Sequence, residues 1–188
     1  MARHEAAHAV VAVRLDLPLL YTSIVPGGAG DDSISDDTRK TGRGGKLSTA
    51  GHTKLERYRL AQWKAALPDS NAYANLEMVS VETAAGVVAE NNKGAALDHG
   101  GSHNDLVQLM QQASILLGVK FSLTDPPRVV TQWLTAQLND ASELLQADGG
   151  VAWDRVTAAL LRKKHLSGDE VRVLVGQADA VSGFQRHS

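Results

Sequence analysis

Apolar residues recur every three or four positions along most of the chain, a spacing that predicts amphipathic helices. The first of these segments runs from His4 to Leu17 and stops before Pro18. Further helices are predicted at 48–66, 71–91, 104–117, 126–146 and 151–164, with a last short helix after residues 166–170. Strands do not alternate with these helices, so the pattern argues against a doubly wound α/β fold.

The remaining segments carry turn-forming or β-forming residues. Leu19–Val25 is rich in β-formers and ends at Pro26-Gly27-Gly28, which predicts a strand followed by a turn. Segments 27–47 and 92–102, rich in glycine and polar residues, predict flexible loops, and 182–188 predicts a frayed tail. We therefore expect a single domain over 1–188 that is mainly α-helical, with a small β-hairpin or sheet.

Composition narrows the class of protein. The chain has 188 residues, of which 43% are hydrophobic but only 4% aromatic. This is enough apolar material for one domain, with a core built mainly from Ala, Val and Leu. The absence of cysteine excludes disulfides, thiolate zinc fingers, iron–sulfur clusters and a cysteine nucleophile.

Charge and hydropathy bear on partners and location. Lys and Arg total 19 and Asp and Glu total 21, and this near-balance argues against a polyphosphate-binding surface. No aromatic side chain that could stack on bases interleaves with the basic residues Arg39, Lys40, Arg43 and Lys46. We therefore expect no nucleic-acid partner. With no apolar run of the ~20 residues that a bilayer requires and no secretory signal, the sequence predicts a cytoplasmic protein without a membrane segment.

One motif in the first predicted helix carries chemistry: His4-Glu5-Ala6-Ala7-His8 is an HExxH. Residues four apart on a helix differ by about 40° in direction, so both imidazoles can bind one cation. Glu5 lies about 100° round the helix from His4, where its carboxylate can reach a water that the metal activates. With 7 His in the chain, roughly 0.01 such motifs are expected by chance. The motif indicates metal-assisted hydrolysis with Zn²⁺ as the default ion.

A zinc site of this kind needs a third protein ligand. No His occurs between His8 and His52, which excludes the extended HExxHxxGxxH form. The remaining candidates are Glu56, Glu77, Glu82, Glu90, Asp98, His99, His103 and Asp105. Asp105 is expected in the first turn of a helix, where the dipole favours a carboxylate. Glu90 could instead orient a ligand histidine. Spacing alone leaves the choice open.

Five blocks of sequence, in order along nearly the whole chain, resemble the peptidase domain of the FtsH-type, membrane-bound AAA+ zinc proteases. The HExxH helix is the first, and Leu20–Pro26 is similar to the strand that follows it in that family. Ala84–Glu90 resembles the AGRAAE segment, and Gly101–Leu106 resembles the GASNDL motif. Ala158–Val171 is similar to the ALLEKETLSGDEV stretch.

This resemblance implies a zincin-like helical metallopeptidase domain. The Asp of the GASNDL-like block is Asp105, so the implied zinc ligands are His4, His8 and Asp105, with Glu5 as the general base. The implied activity is zinc-dependent endopeptidase cleavage of unfolded or flexible protein segments. Because no GxxxxGK[ST] motif occurs in the sequence, we expect a separate ATPase or adaptor to deliver substrates. A homo-oligomer is a further expectation.

Other interpretations stay open at this point. One is a non-catalytic metallopeptidase-like module that binds a partner or regulates an assembly, which predicts stoichiometric zinc without hydrolysis. Another is a helical interaction domain with accidental histidines, which predicts no metal even after zinc supplementation. The strand at 19–25 has two interpretations as well, since it could accept an extended peptide by edge addition or serve as the core strand of a small hairpin.

Overall fold

The computed structural model describes residues 1–25, 52–55, 70–91, 101–122 and 124–182. Its helices are α1 (Ala2–Arg14), α2 (Ser70–Asn91), α3 (Gly101–Leu116), α4 (Arg128–Gln146), α5 (Val151–Lys163) and α6 (Gly168–Ser182). Its strands are β1 (Leu19–Ser23), β2 (His52–Leu55) and β3 (His165–Ser167). These ranges are mainly helical with a small antiparallel sheet, as the sequence predicts. The predicted loop 27–47, and 183–188 of the predicted tail, lie outside them.

Helix α1 is the centre of the fold. Every residue from His4 to Arg14 is buried, and the helix contacts α2, α4, α5, α6 and both β1 and β2. Its alanines and valines are short, so the surrounding helices can pack closely on all of its faces. The core around it consists mainly of Ala, Val and Leu, with Trp153 as its largest fully buried side chain. Among the described helices, none has the length and apolar character that a bilayer crossing requires.

Helix α1 ends three residues earlier than the predicted Leu17. Asp16 adopts a left-handed backbone with φ of 55°. Its amide donates to the carbonyl of Val13 at 3.1 Å, and the amide of Leu17 donates to the carbonyl of Ala12 at 2.8 Å. These two bonds form a Schellman motif, which satisfies the last carbonyls of the helix and turns the chain toward β1.

A buried ionic cluster holds this end of α1 in place. The guanidinium of Arg14 lies 2.6 Å from Asp179 in α6 and 3.0 Å from Asp148 in the turn between α4 and α5. Asp148 also accepts the amides of Gly150 and Ala152 at 3.0 and 2.7 Å, which caps the start of α5. The cluster therefore connects α1 to the three helices α4, α5 and α6.

The helix predicted for 48–66 is wrong at His52–Leu55, which forms strand β2. This strand pairs antiparallel with β1, with Thr53 opposite Thr22, and the two hydroxyl oxygens lie 2.8 Å apart. Cross-strand pairing of β-branched side chains outweighs the local helical pattern here. Residues 48–51 and 56–66 lie outside the described part of the chain.

The sheet order is β2-β1-β3. Strand β1 is thus paired on both sides and ends at Ser23, two residues short of the prediction. It is a core strand, and the proposal that it accepts a peptide by edge addition is wrong. Strand β3, which the sequence pattern did not predict, pairs with β1 through Leu166, which lies opposite Thr22 and is buried.

The other helices agree closely with the prediction. Those predicted for 71–91 and 151–164 are confirmed as α2 and α5 to within one residue at each end. Helix α3 begins at Gly101, three residues before its predicted start. The loop predicted for 92–102 is therefore wrong at its end, and 92–100 lie outside the described residues.

Proline and glycine mark the remaining helix ends. Pro127 precedes α4 in an extended conformation, with ψ of 151°, and is not part of its first turn as predicted. Gly118 follows α3 with φ of 65°, and Gly149 and Gly150 join α4 to α5 with φ of 72° and 82°. Left-handed backbone favours glycine, so these breaks are confirmed where the sequence places them.

Candidate metal centre

Three polar side chains from α1 and α3 meet at nearly equal separations. The Nε2 atoms of His4 and His8 lie 3.3 Å apart. Oδ2 of Asp105 lies 3.3 Å from Nε2 of His4 and 3.4 Å from Nε2 of His8. The structure thus brings together the three residues that the resemblance implies as ligands, in a group that could hold a metal ion.

The dimensions of this triangle fit zinc. Four ligands arranged tetrahedrally about 2.0–2.1 Å from Zn²⁺ lie about 3.3–3.4 Å from one another. The three observed separations, 3.3, 3.3 and 3.4 Å, match that spacing. Oδ2 of Asp105 is buried and has no well-aligned hydrogen-bond donor, which leaves this oxygen able to coordinate a metal ion. Two imidazoles and one carboxylate also form a donor set that suits zinc.

The amino-terminal turn of α1 is anchored to α5. The indole Nε1 of Trp153 donates to the carbonyl of Arg3 at 2.7 Å. The Arg3 guanidinium lies 3.9 Å from the centre of the same ring and 2.6 Å from the carboxylate of Asp154. Because His4 is the next residue, these contacts limit fraying where the first imidazole must be positioned.

Two carboxylates of α2 face the other nitrogen of each imidazole. Oε1 of Glu90 lies 3.1 Å from Nδ1 of His4, and Oε1 of Glu82 lies 3.2 Å from Nδ1 of His8. The main-chain carbonyl of Glu82 is 2.9 Å from the same Nδ1. Both glutamates were candidate ligands by sequence, but they lie behind the rings and leave Nε2 to face the triangle. Glu90 lies close to Nδ1 of His4, as an orienting residue would, but the two atoms are not aligned for a hydrogen bond.

Gly86 lies midway between these two glutamates, on the same face of α2. A Cβ atom at this position would overlap Oδ2 of Asp105 and Nε2 of His8, and would lie 2.7 Å from Cε1 of His4. The backbone of α2 therefore closes one side of the triangle, and only glycine fits there. Glu82, Gly86 and Glu90 recur at four-residue intervals, a signal that could have placed all three on one helix face.

Glu5 lies beside the triangle and is only 4% exposed. The hydroxyl of Thr53 donates to its Oε2 at 3.1 Å, and the hydroxyl of Thr22 lies 2.8 Å from that of Thr53. Burial raises the pKa of Glu5 to about 7, although the charge of His8 and the Thr53 hydrogen bond oppose the shift. Sequence reasoning missed both threonines, because neither belongs to a motif and their contact depends on the pairing of β1 with β2.

The two histidines have opposite pKa shifts in the metal-free site. Burial, reinforced by the charge of His8, lowers the pKa of His4 to about 4. Burial alone would also lower the pKa of His8, but the carboxylates of Glu82 and Asp105 outweigh it and raise that pKa well above the ordinary value. At neutral pH His4 is therefore neutral and His8 carries one additional proton, which a metal ion must displace.

Charge also favours a cation at this centre. The group contains the four carboxyl groups of Glu5, Glu82, Glu90 and Asp105 and the two imidazoles of α1. Carboxyl groups therefore outnumber imidazoles four to two in this mostly buried region. A divalent cation compensates for an excess of carboxylates, which is otherwise unfavourable in a buried site.

The other sequence candidates do not join the centre. The side chains of Glu77 in α2 and His103 in α3 are exposed. Asp105 does reach it, although it follows the first turn of α3, which begins at Gly101, and so lies deeper in the helix than predicted. Glu56, Asp98 and His99 lie outside the described residues, as do the basic residues Arg39, Lys40, Arg43 and Lys46.

Comparison with known proteins adds no relative. No protein-family model matches this chain, and no curated protein matches it at a significant level. The function is therefore inferred from the arrangement of the centre and from the sequence blocks described above.

Proposed function

We propose that this protein is a zinc-dependent metalloendopeptidase of zincin-like architecture, with His4, His8 and Asp105 as zinc ligands and Glu5 as the general base. The observation that carries the proposal is the triangle of two Nε2 atoms and one Oδ2 atom, 3.3–3.4 Å on each side. Glu5 lies near enough for the charges of His8 and Asp105 to affect its pKa. The donor set, the spacing and a buried carboxylic acid together support hydrolysis.

The chain supplies the proton transfers of peptide hydrolysis. Zinc, when bound, provides a Lewis acid that lowers the pKa of a water to about 7 and polarises a carbonyl. Glu5 accepts a proton from the attacking water, which forms the new C–O bond, and donates it to the amine nitrogen as the C–N bond breaks. A carboxyl group with a pKa of about 7 suits both steps near neutral pH. The hydrogen bond that Thr53 donates to Oε2 orients this carboxyl group.

Substrates are proposed to be unfolded proteins or flexible segments, delivered by a separate ATPase or adaptor. This part of the proposal rests on the resemblance of five sequence blocks to FtsH-type peptidase domains. An extended segment can approach a buried catalytic group more readily than a folded domain can, because its backbone is free of internal hydrogen bonds. Assembly into a homo-oligomer belongs to the same proposal.

The test combines metal analysis with cleavage of an unfolded substrate. We expect one zinc per chain and hydrolysis of casein by the wild-type protein. Glu5→Gln should bind zinc as well as the wild type but lose cleavage, while the exposed Glu77→Gln serves as a matched control that keeps both. Retained cleavage in Glu5→Gln would refute the general base. Stoichiometric zinc without hydrolysis at several pH values would instead support the binding module, and absence of zinc after supplementation would refute the metal centre.

A further inference from the structure

Nδ1 of His8 faces two oxygen atoms of the same residue. The main-chain carbonyl of Glu82 lies 2.9 Å away, and Oε1 of its side chain lies 3.2 Å away. A neutral imidazole has only one N–H to donate when its other nitrogen binds metal. The carbonyl alone is enough to accept that hydrogen and to fix the tautomer and ring orientation, so the carboxylate is not needed for the hydrogen bond.

The carboxylate of Glu82 is also costly to bury. The residue is 8% exposed, and a buried carboxylate without a compensating charge is strongly unfavourable. An apolar side chain of the same size would fill the space without that cost. The compensation available on this face of α2 is the charge of His8 in the metal-free protein, and the charge of the ion when His8 binds it through Nε2.

His4 provides an internal comparison. Its Nδ1 lies 3.1 Å from a carboxylate oxygen of Glu90, but without the alignment of a hydrogen bond. At His8, by contrast, a main-chain carbonyl already accepts the hydrogen of Nδ1, and the carboxylate is added to it. The two glutamates are therefore not equivalent, and the contribution expected from Glu82 is its negative charge.

We propose that Glu82 is a positioning residue that strengthens zinc binding through His8 by its charge, independently of the hydrogen bond that its main chain accepts. The inference rests on the proposed metal centre but not on hydrolysis, because zinc affinity can be measured without turnover. Outer carboxylates that contact metal-binding histidines typically change metal affinity by about 10–100-fold.

The experiment measures zinc affinity by competition with a chromophoric chelator for wild type, Glu82→Gln and Glu82→Met. Gln keeps a side-chain acceptor and removes the charge, whereas Met removes both. Each variant should bind zinc about tenfold more weakly or worse, and the two should agree closely. The exposed Glu77→Gln on the same helix should match the wild type within about twofold, since substitutions of exposed side chains have small effects.

Two further readouts separate this role from a structural one. The zinc-free variants should still fold with a cooperative melting transition, at a lower temperature than the wild type, because they lose the buried pair between Glu82 and His8. Their cobalt-substituted forms should keep the wild-type absorption bands, because the ligands are unchanged. The proposal is overturned by unchanged affinity in Glu82→Gln, by loss of affinity in Glu82→Met alone, or by cobalt absorption bands in Glu82→Gln that differ from those of the wild type. A wild-type protein that binds no zinc would overturn the metal centre itself, a distinct result.

Discussion

Oδ2 of Asp105 lies 3.4 Å from Nε2 of His8 although the two residues belong to different helices, α3 and α1. Helix α2 passes between these segments in the chain and packs against both of them. It supplies Glu82 and Glu90 behind the imidazoles and presents Gly86 to the triangle. The positions of the ligands from α1 and α3 therefore depend on α2, and the contribution of each residue can be tested separately.

Asp105→Asn should weaken zinc binding by more than about 100-fold, beyond the range for groups that only contact ligands. The amide keeps the size of the side chain but removes its charge, and a neutral oxygen is a poorer zinc ligand than a carboxylate. Casein cleavage should disappear with the metal. The exposed Asp140→Asn in α4 is the matched control, and chelator competition is the measurement. Wild-type affinity in Asp105→Asn would exclude Asp105 as a ligand.

Gly86→Ala should abolish zinc binding while leaving most of the fold intact. The added Cβ overlaps Oδ2 of Asp105 and Nε2 of His8, so these atoms must move apart. Overpacking of this kind costs about 1–3 kcal/mol of folding free energy. Gly176→Ala in α6 is the control, because nothing lies within 4 Å of its Cβ position, and it should stabilise the helix by about 0.5–1 kcal/mol. Urea unfolding and zinc titration of both variants check the prediction, and normal zinc binding by Gly86→Ala would contradict it.

Thr53→Val should lower kcat by roughly tenfold with no change in zinc content. The hydroxyl donates to Oε2 of Glu5 at 3.1 Å, and a hydrogen bond to a charged group is worth about 1.5–3 kcal/mol. Thr53→Ser keeps the hydroxyl and should restore most of the rate. Thr135→Val, on the exposed side of α4, is the control. If the kcat of Thr53→Ser is as low as that of Thr53→Val, the rate depends on the methyl group and not on the hydroxyl, and the role assigned to the hydrogen bond is wrong.

Zinc uptake by Glu5→Gln should release about one proton at pH 6, where a zinc-bound water with a pKa of about 7 keeps its proton. The carboxylates of Glu82 and Asp105 hold the pKa of His8 well above its ordinary value in the metal-free site, whereas the pKa of His4 is lowered to about 4. Only His8 therefore carries a proton for the metal to displace, and affinity should weaken as the pH falls. The Gln variant removes the partial titration of Glu5 from the count. Calorimetry in buffers of different ionisation enthalpy measures the number, and a value near zero would refute the assignment to His8.

Sequence patterns predict the helices well because burial in this protein follows the helical period. The four-residue spacing of His4 and His8 also predicts that both project from one face, and the structure shows this directly. Both predictions can be made without knowing which segments pack together. Asp105 is different, because spacing leaves it among eight candidates and only the resemblance selects it.

What the sequence does not reveal depends on tertiary pairing. Strand β2 lies inside a predicted helix, and its identity depends on pairing with β1. The contact of Thr53 with Glu5 exists only after that pairing forms. Similarly, Glu82 is one more acidic residue on an apolar helix until α2 packs against α1 and its carboxylate meets His8. Long-range contacts of this kind override local propensity and have no short-range signature.

Ser167→Ala should destabilise the fold by about 1 kcal/mol without affecting the metal centre. Ser167 and Glu170 form a reciprocal capping box at the start of α6. The Ser167 hydroxyl accepts a hydrogen bond from the amide of Glu170 at 3.2 Å, and the Glu170 carboxylate accepts one from the amide of Ser167 at 2.9 Å.

Hydrogen bonds from Lys163 and from the Ser167 amide lower the pKa of Glu170. Its contribution is therefore present above the unfolded pKa and is lost as the pH falls through the lowered folded value. Urea unfolding at pH 7 and pH 3 should show a smaller difference between wild type and Glu170→Gln at the lower pH, and zinc affinity of Ser167→Ala should stay at the wild-type value. A Ser167→Ala variant as stable as the wild type would mean that α6 does not depend on this cap.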